Sequence, residues 1–463
     1  MHSFTQPGDG LYNAACDLIG RNLDAGRGDK IAVRDEAGAY SYGELGDRID
    51  RFAAALKRLG IRQEERVLLC MLDTVDFPTA FLGTIKAGAV AVPVNTLLTA
   101  EDYRFMLRDS RARALVVSAP LLEKLAPVLG DCPDLEQVIV SGGEAGAHKS
   151  FAALLEAEQP GFQAAATRAD EICFWLYTSG TTGSPKGSVH LQSSMIQTAE
   201  LYAQPVLGIR EADVVYSAAK LFFAYGLGNG LTFPFSVGAT AVLYSGRPTA
   251  EAVWNLLKTE KPTIFYGVPT LFGILLADEN KPGKEELALR ICTSAGEALP
   301  AELGKRWKAQ TGTDILDGIG STEMLHIFIS NQPGEIRYGT TGKAVPGYEI
   351  RLIGDDGQPV PQGEMGELQI KGPSSAIMYW NQREKSRDTV QGWWTRSGDK
   401  YLQDDEGYYV YCGRTDDMLK VGGIYVSPFE VEGALISHEA VLEAAVVGQE
   451  DDEGLIKPKA FVV

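Results

Sequence analysis

Between Ser41 and Val140 helix signals and strand signals take turns, and this alternation restricts the chain to a small set of architectures. Ser41 and Glu44 form a capping-box pair; Leu45, Ile49, Phe52, Leu56 and Leu59 then recur at helical spacing, and Gly60 supplies a stop. The apolar run 67–72 (VLLCML) follows, then a helical stretch over 77–87, then 89–94 (AVAVPV). Thr99 begins another helix, and 114–117 and 138–140 read as further strands. Apolar strands joined through helices are buried on both faces, so the rhythm predicts parallel sheets covered by helices. The segment 142–148 (GGEAGAH) has no periodicity and reads as a loop.

At 463 residues the chain exceeds the usual size of one domain. The main boundary is drawn at 413–416. Residues 1–415 form a large N-terminal α/β domain of parallel and mixed sheets. Residues 416–463 form part of a small α+β C-terminal domain. In that tail Ser427, Pro428 and Glu430 suit the N-cap, N1 and N3 positions of a helix. Residues 441–447 and 460–463 read as strands, giving a βαβ-like unit.

A formal charge of −18 argues against nucleic acid or an anionic membrane as a partner. Any anionic ligand must be held by local donors against that field. The six cysteines are scattered without a C-x-x-C pair, which fits a reducing cytoplasm and offers no zinc or redox site. The N-terminal residues lack the apolar core of a signal peptide. The best apolar run, 80–94, is interrupted by Lys86 and Pro93, so no bilayer span is expected. The expectation is a cytoplasmic monomer or homodimer.

The stretch 177–187 reads YTSGTTGSPKG and follows the strand-like run 172–177 (ICFWLY). Composition alone allows a flexible surface linker. The chemical alternative is a polyphosphate loop. Small residues let the backbone come close, hydroxyls of Thr178, Ser179, Thr181 and Thr182 donate hydrogen bonds, and Lys186 brings a point charge. The pattern differs from the P-loop, in which Lys is followed by Ser or Thr; here Gly187 follows.

The loop resembles the phosphate-binding signature of the adenylate-forming superfamily, and further segments resemble that family's motifs in order along the chain. These are SAGEALP (294–300), DGIGSTE (317–323), GEL (366–368), SGD (397–399) and GRTDDMLKVGGIYVSPFEVE (413–432). More narrowly, KLFFAYGLGNG (220–230) and STEMLHIF (321–328) are similar to the aryl-CoA ligases that activate benzoate and its relatives. The resemblance implies ATP-dependent coupling of an aromatic carboxylic acid to AMP, then transfer to coenzyme A, with Mg2+ as cofactor. It leaves open an enzyme that loads a carrier protein, and a nucleotide-binding form with little catalysis.

By the same resemblance Lys186, Thr322 and Glu323 are the catalytic candidates. Glu323 would hold Mg2+, a hard cation suited to oxygen ligands, and Thr322 would meet the α-phosphate. Thr178, Ser179, Gly180, Thr181 and Thr182 would hold the β- and γ-phosphates. Ala295, Gly296, Glu297, Asp317, Gly318 and Ile319 would flank the adenosine, with Ile319 where many relatives carry an aromatic ring. Asp399 and Arg414 would contact the ribose; read alone they form an ion pair. Phe223, Ala224, Tyr225, Gly320, His326 and Ile327 would line the acid pocket. Gly320 stands where acetate-activating relatives carry Trp, so its missing side chain is expected to make room for a ring. On residue type alone the aromatic cluster reads as core packing and His326 as a satisfied core histidine. Asp416 would be a hinge, and Lys420 would approach the acyl group or the thiol arm. The family's C-terminal Gly-Lys motif is not seen, which gives the expectation that this form adenylates poorly.

Overall fold

Ser41 Oγ accepts from the Glu44 amide at 3.1 Å and Glu44 Oε2 accepts from the Ser41 amide at 2.7 Å, so the capping box does start a helix. That helix, Tyr42–Arg58, buries Leu45, Ile49, Phe52 and Leu56. Thr99 and Asp102 cap Ala100–Ser110 in the same reciprocal way. The structure, a computed structural model, describes residues 10–178, 185–415, 419–421, 424–436, 438, 440–441, 443–450 and 456–463. Ser179, Gly180, Thr181, Thr182 and Asp416 lie outside the described residues.

The strands Arg66–Cys70, Val90–Pro93, Ala114–Ser118 and Gln137–Ser141 pair in parallel, as the alternation predicts. They belong to an eight-stranded sheet that continues into the antiparallel hairpin Ile172–Thr178 and Lys186–Leu191 and closes on Met378–Tyr379. A nine-stranded sheet carries the parallel strands Val214–Ser217, Thr240–Val242, Ile264–Gly267, Ile291–Ser294 and Ile315–Gly320. Ile327–Ser330 folds back antiparallel on the last of these. A third, antiparallel sheet holds Glu349–Ile353, Gly366–Lys371, Val390–Gln391, Trp394–Gln403 and Tyr409–Arg414.

One continuous buried cluster draws Leu69 and Phe174 from the eight-stranded sheet and Ala241 and Ile264 from the nine-stranded one. Phe52 and Phe81 join it from the helices Tyr42–Arg58 and Asp76–Lys86. Phe81 meets Phe174 edge to face at 5.6 Å. This shared core fixes how the two large sheets face each other, because close-packed side chains cannot slide without opening voids.

In the tail the helix Pro428–Ile436 starts where expected, with the Glu430 amide donating to Ser427 Oγ at 3.2 Å. Phe429 packs edge to face on Tyr411 at 5.2 Å. The strand–helix–strand order expected of the tail is present, but the strands flanking the helix pair elsewhere, Ile424–Val426 with Leu419–Val421 and Ala444–Glu450 with Ile456–Val462. Ala444–Glu450 pairs antiparallel with Ile456–Val462, since the short link between them cannot make the long crossover that parallel neighbours need. Among the described residues no helix is long and apolar enough to cross a membrane.

Candidate active site

Parallel strands end with free space beyond their carboxyl ends, and open α/β sheets place ligand crevices there. Two cavities occupy this position. A polar one of about 600 Å³ lies beyond Ile315–Gly320 and reaches the antiparallel sheet through Ser397, Asp399 and Arg414. An apolar one of about 790 Å³ lies beyond Arg66–Cys70, Val214–Ser217, Ile264–Gly267 and Ile291–Ser294. Gly296, Gly320, Ser321 and Thr322 line both.

Lys186 and Glu323 face the polar cavity with Thr178 and Thr322. Thr178 and Lys186 are ladder partners at the end of the hairpin where the chain passes from one strand to the other. Burial lowers the Lys186 ammonium from its ordinary value, while the Glu323 charge opposes that shift. Lys186 Nζ sits 4.5 Å from the centroid of the Tyr379 ring, and the Tyr379 hydroxyl donates to Glu323 Oε1 at 2.6 Å. The turn carrying Thr322 and Glu323 is held from several sides. Ser321 Oγ accepts from the Met324 amide at 3.2 Å, and the Glu323 carbonyl accepts from the Ala376 amide at 2.6 Å. Leu325 adopts a left-handed φ of 66° to turn the chain back into Ile327–Ser330.

Asp317 is buried, and its Oδ1 has no hydrogen-bond partner among the described residues. Burial pushes its carboxyl well above the usual carboxylate range, opposed by the amides of Leu299 and Gly318. An orphaned buried oxygen aimed at a ligand cavity calls for a donor from outside the chain. Gly318 and Ile319 line the same cavity. Gly296 takes a left-handed φ of 91°, and Glu297 is tied to Thr270, accepting from its hydroxyl at 2.7 Å. Ala295 lines the apolar cavity instead of the polar one. Asp399 Oδ1 accepts from Arg414 Nη1 at 2.9 Å, and that guanidinium also donates to the Ser397 carbonyl at 3.1 Å. Burial raises the Asp399 carboxyl above its ordinary value, and Arg414 works against the shift.

Phe223, Ala224, Tyr225, His326 and Ile327 line the apolar cavity, with Phe223 nearly half exposed. Tyr225 shares a 2.6 Å hydrogen bond with Thr293. His326 Nε2 lies 3.1 Å from Asn229 Oδ1 and 3.3 Å from the Tyr225 carbonyl. The carbonyl can only accept, so Nε2 carries the proton; Nδ1 has no partner among the described residues. Burial pulls the imidazole down to about 3, so it is neutral near pH 7. A Cβ at Gly320 would stand 2.7 Å from the backbone of His326 and 2.9 Å from the Ile327 amide. The glycine therefore also lets Ile327–Ser330 close onto Ile315–Gly320. This close approach is a demand on Gly320 separate from the expected room for a ring. Lys420 lies in the strand Leu419–Val421, paired with Ile424–Val426.

Sequence reasoning missed several groups that line the cavities or support their walls. His190 lies on the same strand as Lys186, four residues on, so strand alternation was an available signal. Its Nε2 meets the Thr322 carbonyl at 2.8 Å. Tyr379 reaches the site only because Met378–Tyr379 pairs with Ser188 and Val189, which no local pattern announces. Asp73, buried in the apolar cavity, accepts from the Leu221 amide at 3.2 Å. Arg396 and Glu367 form a two-fold contact on the wall of the polar cavity, at 3.0 and 2.6 Å.

Among the described residues no group of three His, Cys, Asp or Glu side chains gathers to hold a metal ion. A magnesium ion on a polyphosphate needs less, since it takes one or two carboxylates and completes its shell with phosphate and water oxygens. Glu323 fits that demand, with Oε1 engaged by Tyr379 and no hydrogen bond at Oε2 among the described residues.

Residues 21–380 match the sequence profile of the family described as AMP-binding enzyme. The benzoate–CoA ligase of Thauera aromatica is 62% identical over 467 residues, covering 100% of this chain and 88% of that protein. The 4-hydroxybenzoate–CoA/benzoate–CoA ligase of Rhodopseudomonas palustris is 51% identical, covering 98% of this chain and 84% of that one. A crystal structure of a benzoate CoA ligase from Burkholderia xenovorans LB400 superposes with a TM-score of 0.92 at 55% identity, over 98% of this chain and 89% of that chain. The profile spans most of the sequence, and the chain belongs to the AMP-binding enzyme family.

Proposed function

We propose that this chain activates benzoate or a ring-substituted benzoate with ATP, forming an acyl-adenylate, and then passes the acyl group to coenzyme A. The products are the aryl-CoA, AMP and pyrophosphate. One observation carries the reading: a polar cavity bearing Lys186 and Glu323 meets an apolar, aromatic-lined cavity along Gly296, Gly320, Ser321 and Thr322. A ring seated among Phe223, Ala224, Tyr225 and His326 directs its carboxylate to that seam. A triphosphate on the other side presents its α-phosphorus there. Holding the two reactants in line supplies much of the acceleration such a step needs.

Each residue then has a task. Lys186 places positive charge beside the phosphate oxygens, and Thr322 offers its hydroxyl at the seam. The orphaned Asp317 oxygen accepts from the adenine amino group, and Asp399 and Arg414 meet the ribose. Glu323 would hold Mg2+, which when bound neutralises charge on the departing pyrophosphate. The apolar cavity keeps water from the anhydride until the thiol arrives. We place the boundary between the large and small domains after Thr415, with Asp416 as hinge and Lys420 on the part that moves. Loading of a carrier protein is the less favoured reading, because the relatives named above are CoA ligases. The reading extends to a cytoplasmic monomer or homodimer.

The test is AMP release by the full chain with ATP, Mg2+ and benzoate, with and without free coenzyme A. Benzoate-dependent AMP that rises with coenzyme A is expected. An acid requirement met equally well by acetate would refute the aryl assignment.

A further inference from the structure

We infer that Tyr379 is a positioning residue that holds the phosphate-facing lysine and the metal-facing carboxylate at a fixed separation. The inference rests on the proposed reading of the polar cavity. Its geometry is independent of that reading. Lys186 and Glu323 do not touch: no ion pair links them within 4.0 Å among the described residues. Tyr379 stands between. Its ring carries the Lys186 ammonium at 4.5 Å, and its hydroxyl donates to Glu323 Oε1 at 2.6 Å.

The placement of this ring is itself fixed. Tyr379 pairs with Ser188, two residues beyond Lys186 on the same strand. The next residue, Trp380, donates its amide to the Gly187 carbonyl at 2.8 Å and stacks on Trp175 at 4.8 Å. Its indole N–H reaches the Asp109 carbonyl at 2.9 Å. Tyr379 is 4% exposed, so the ring has little freedom to swing away. A lysine and a glutamate this near in a polar cleft would otherwise collapse into a direct pair when no ligand is bound. That pair would have to break before phosphate and cation could enter. The aromatic spacer satisfies each charge by a different kind of contact, a ring face for the ammonium and an O–H for the carboxylate. Oε2 of Glu323 is left to a cation and the ammonium to phosphate.

The test is the calorimetric affinity of the full chain for a non-hydrolysable ATP analogue, with and without Mg2+. Wild type should bind more tightly with Mg2+. Tyr379→Phe keeps the ring and loses the O–H; its Mg2+ enhancement should fall about ten-fold while metal-free affinity stays near wild type, the scale of one hydrogen bond to a charged group. Tyr379→Leu should also lose metal-free affinity, by roughly three-fold, as the ring face disappears. Unchanged melting temperature in Tyr379→Phe separates positioning from packing. Adding Tyr379→Phe to Glu323→Gln should change nothing further. If Lys186→Met and Glu323→Gln weaken analogue binding but Tyr379→Phe keeps the full Mg2+ enhancement, the inference fails alone. If neither Lys186→Met nor Glu323→Gln affects binding, the reading of the cavity fails with it.

Discussion

His190 Nε2 donates to the Thr322 carbonyl at 2.8 Å, joining the strand that begins at Lys186 to the turn that carries Thr322 and Glu323. A carbonyl only accepts, so the proton sits on Nε2 and the ring is held in one tautomer. The imidazole also stacks on Phe174 at 5.3 Å. His190→Ala should cost about 2 kcal/mol of stability through the lost donor and the space left behind. It should also lower kcat by roughly ten-fold as the turn loosens, about 1.4 kcal/mol of transition-state stabilisation. His190→Gln, which retains a donor, should recover part of both. Urea denaturation and steady-state kinetics read the two effects.

Gly320→Ala tests the second role of that glycine. The added methyl meets the His326 and Ile327 backbone at 2.7–2.9 Å, and a backbone in a paired strand cannot step aside cheaply. Overpacking of this kind costs about 1–3 kcal/mol. The expected result is a lower urea midpoint together with a raised KM for the aromatic acid. A pocket-only role for Gly320 would move KM and leave the midpoint in place.

Buried groups pull stability in opposite directions over overlapping pH windows. Burial raises the Asp73 carboxyl to about 7, with Lys220 and the Leu221 amide opposing. From about pH 4 to about 7 the folded chain therefore holds a proton that the unfolded chain releases, and this group's contribution to stability declines as pH rises. Asp73→Asn should make the slope of stability against pH more positive there. His190 and His326 are depressed to about 4 and about 3, both by burial. Below about pH 6.5 the unfolded chain takes up protons that these rings refuse, so their contribution declines as pH falls. His326→Gln should make the slope less positive in the same range. Urea midpoints of wild type and both variants at half-unit steps from pH 4 to 9 separate the two contributions.

Phe223 stands nearly half exposed at the apolar cavity, touching Phe222 with ring centroids 4.5 Å apart. Phe223→Ala should leave the melting temperature within a degree or two, since exposed side chains contribute little to the fold. Its KM for benzoate should rise about five-fold, near 1 kcal/mol of lost apolar contact. Parallel measurement of KM for ATP, expected to be unchanged, ties the effect to the acid.

Much of the scaffold was legible because its signals are local. The Ser41 and Thr99 caps, the helical spacing of Leu45 to Leu56 and the apolar strand runs each depend on neighbours a few residues away. The elements of the tail were legible but not their partners, because which strand pairs with which leaves no mark on either one. Glu323, Asp317 and Asp399 stood in recognisable strings, and the fold brings them to one cavity. Tyr379 and Asp73 could not be found this way. Each enters through a contact with a distant segment, Tyr379 by strand register and Asp73 by an amide on the Leu221 turn.

Among the described residues, Gly296, Gly320, Ser321 and Thr322 are all that the polar and apolar cavities have in common. With so narrow a border, the walls that judge the ring and the walls that grip the nucleotide can be altered one set at a time. On the proposed reading, a lineage or an engineer can trade one carboxylic acid for another by rewriting residues such as Phe223 and Tyr225 while the energy-coupling half keeps its shape.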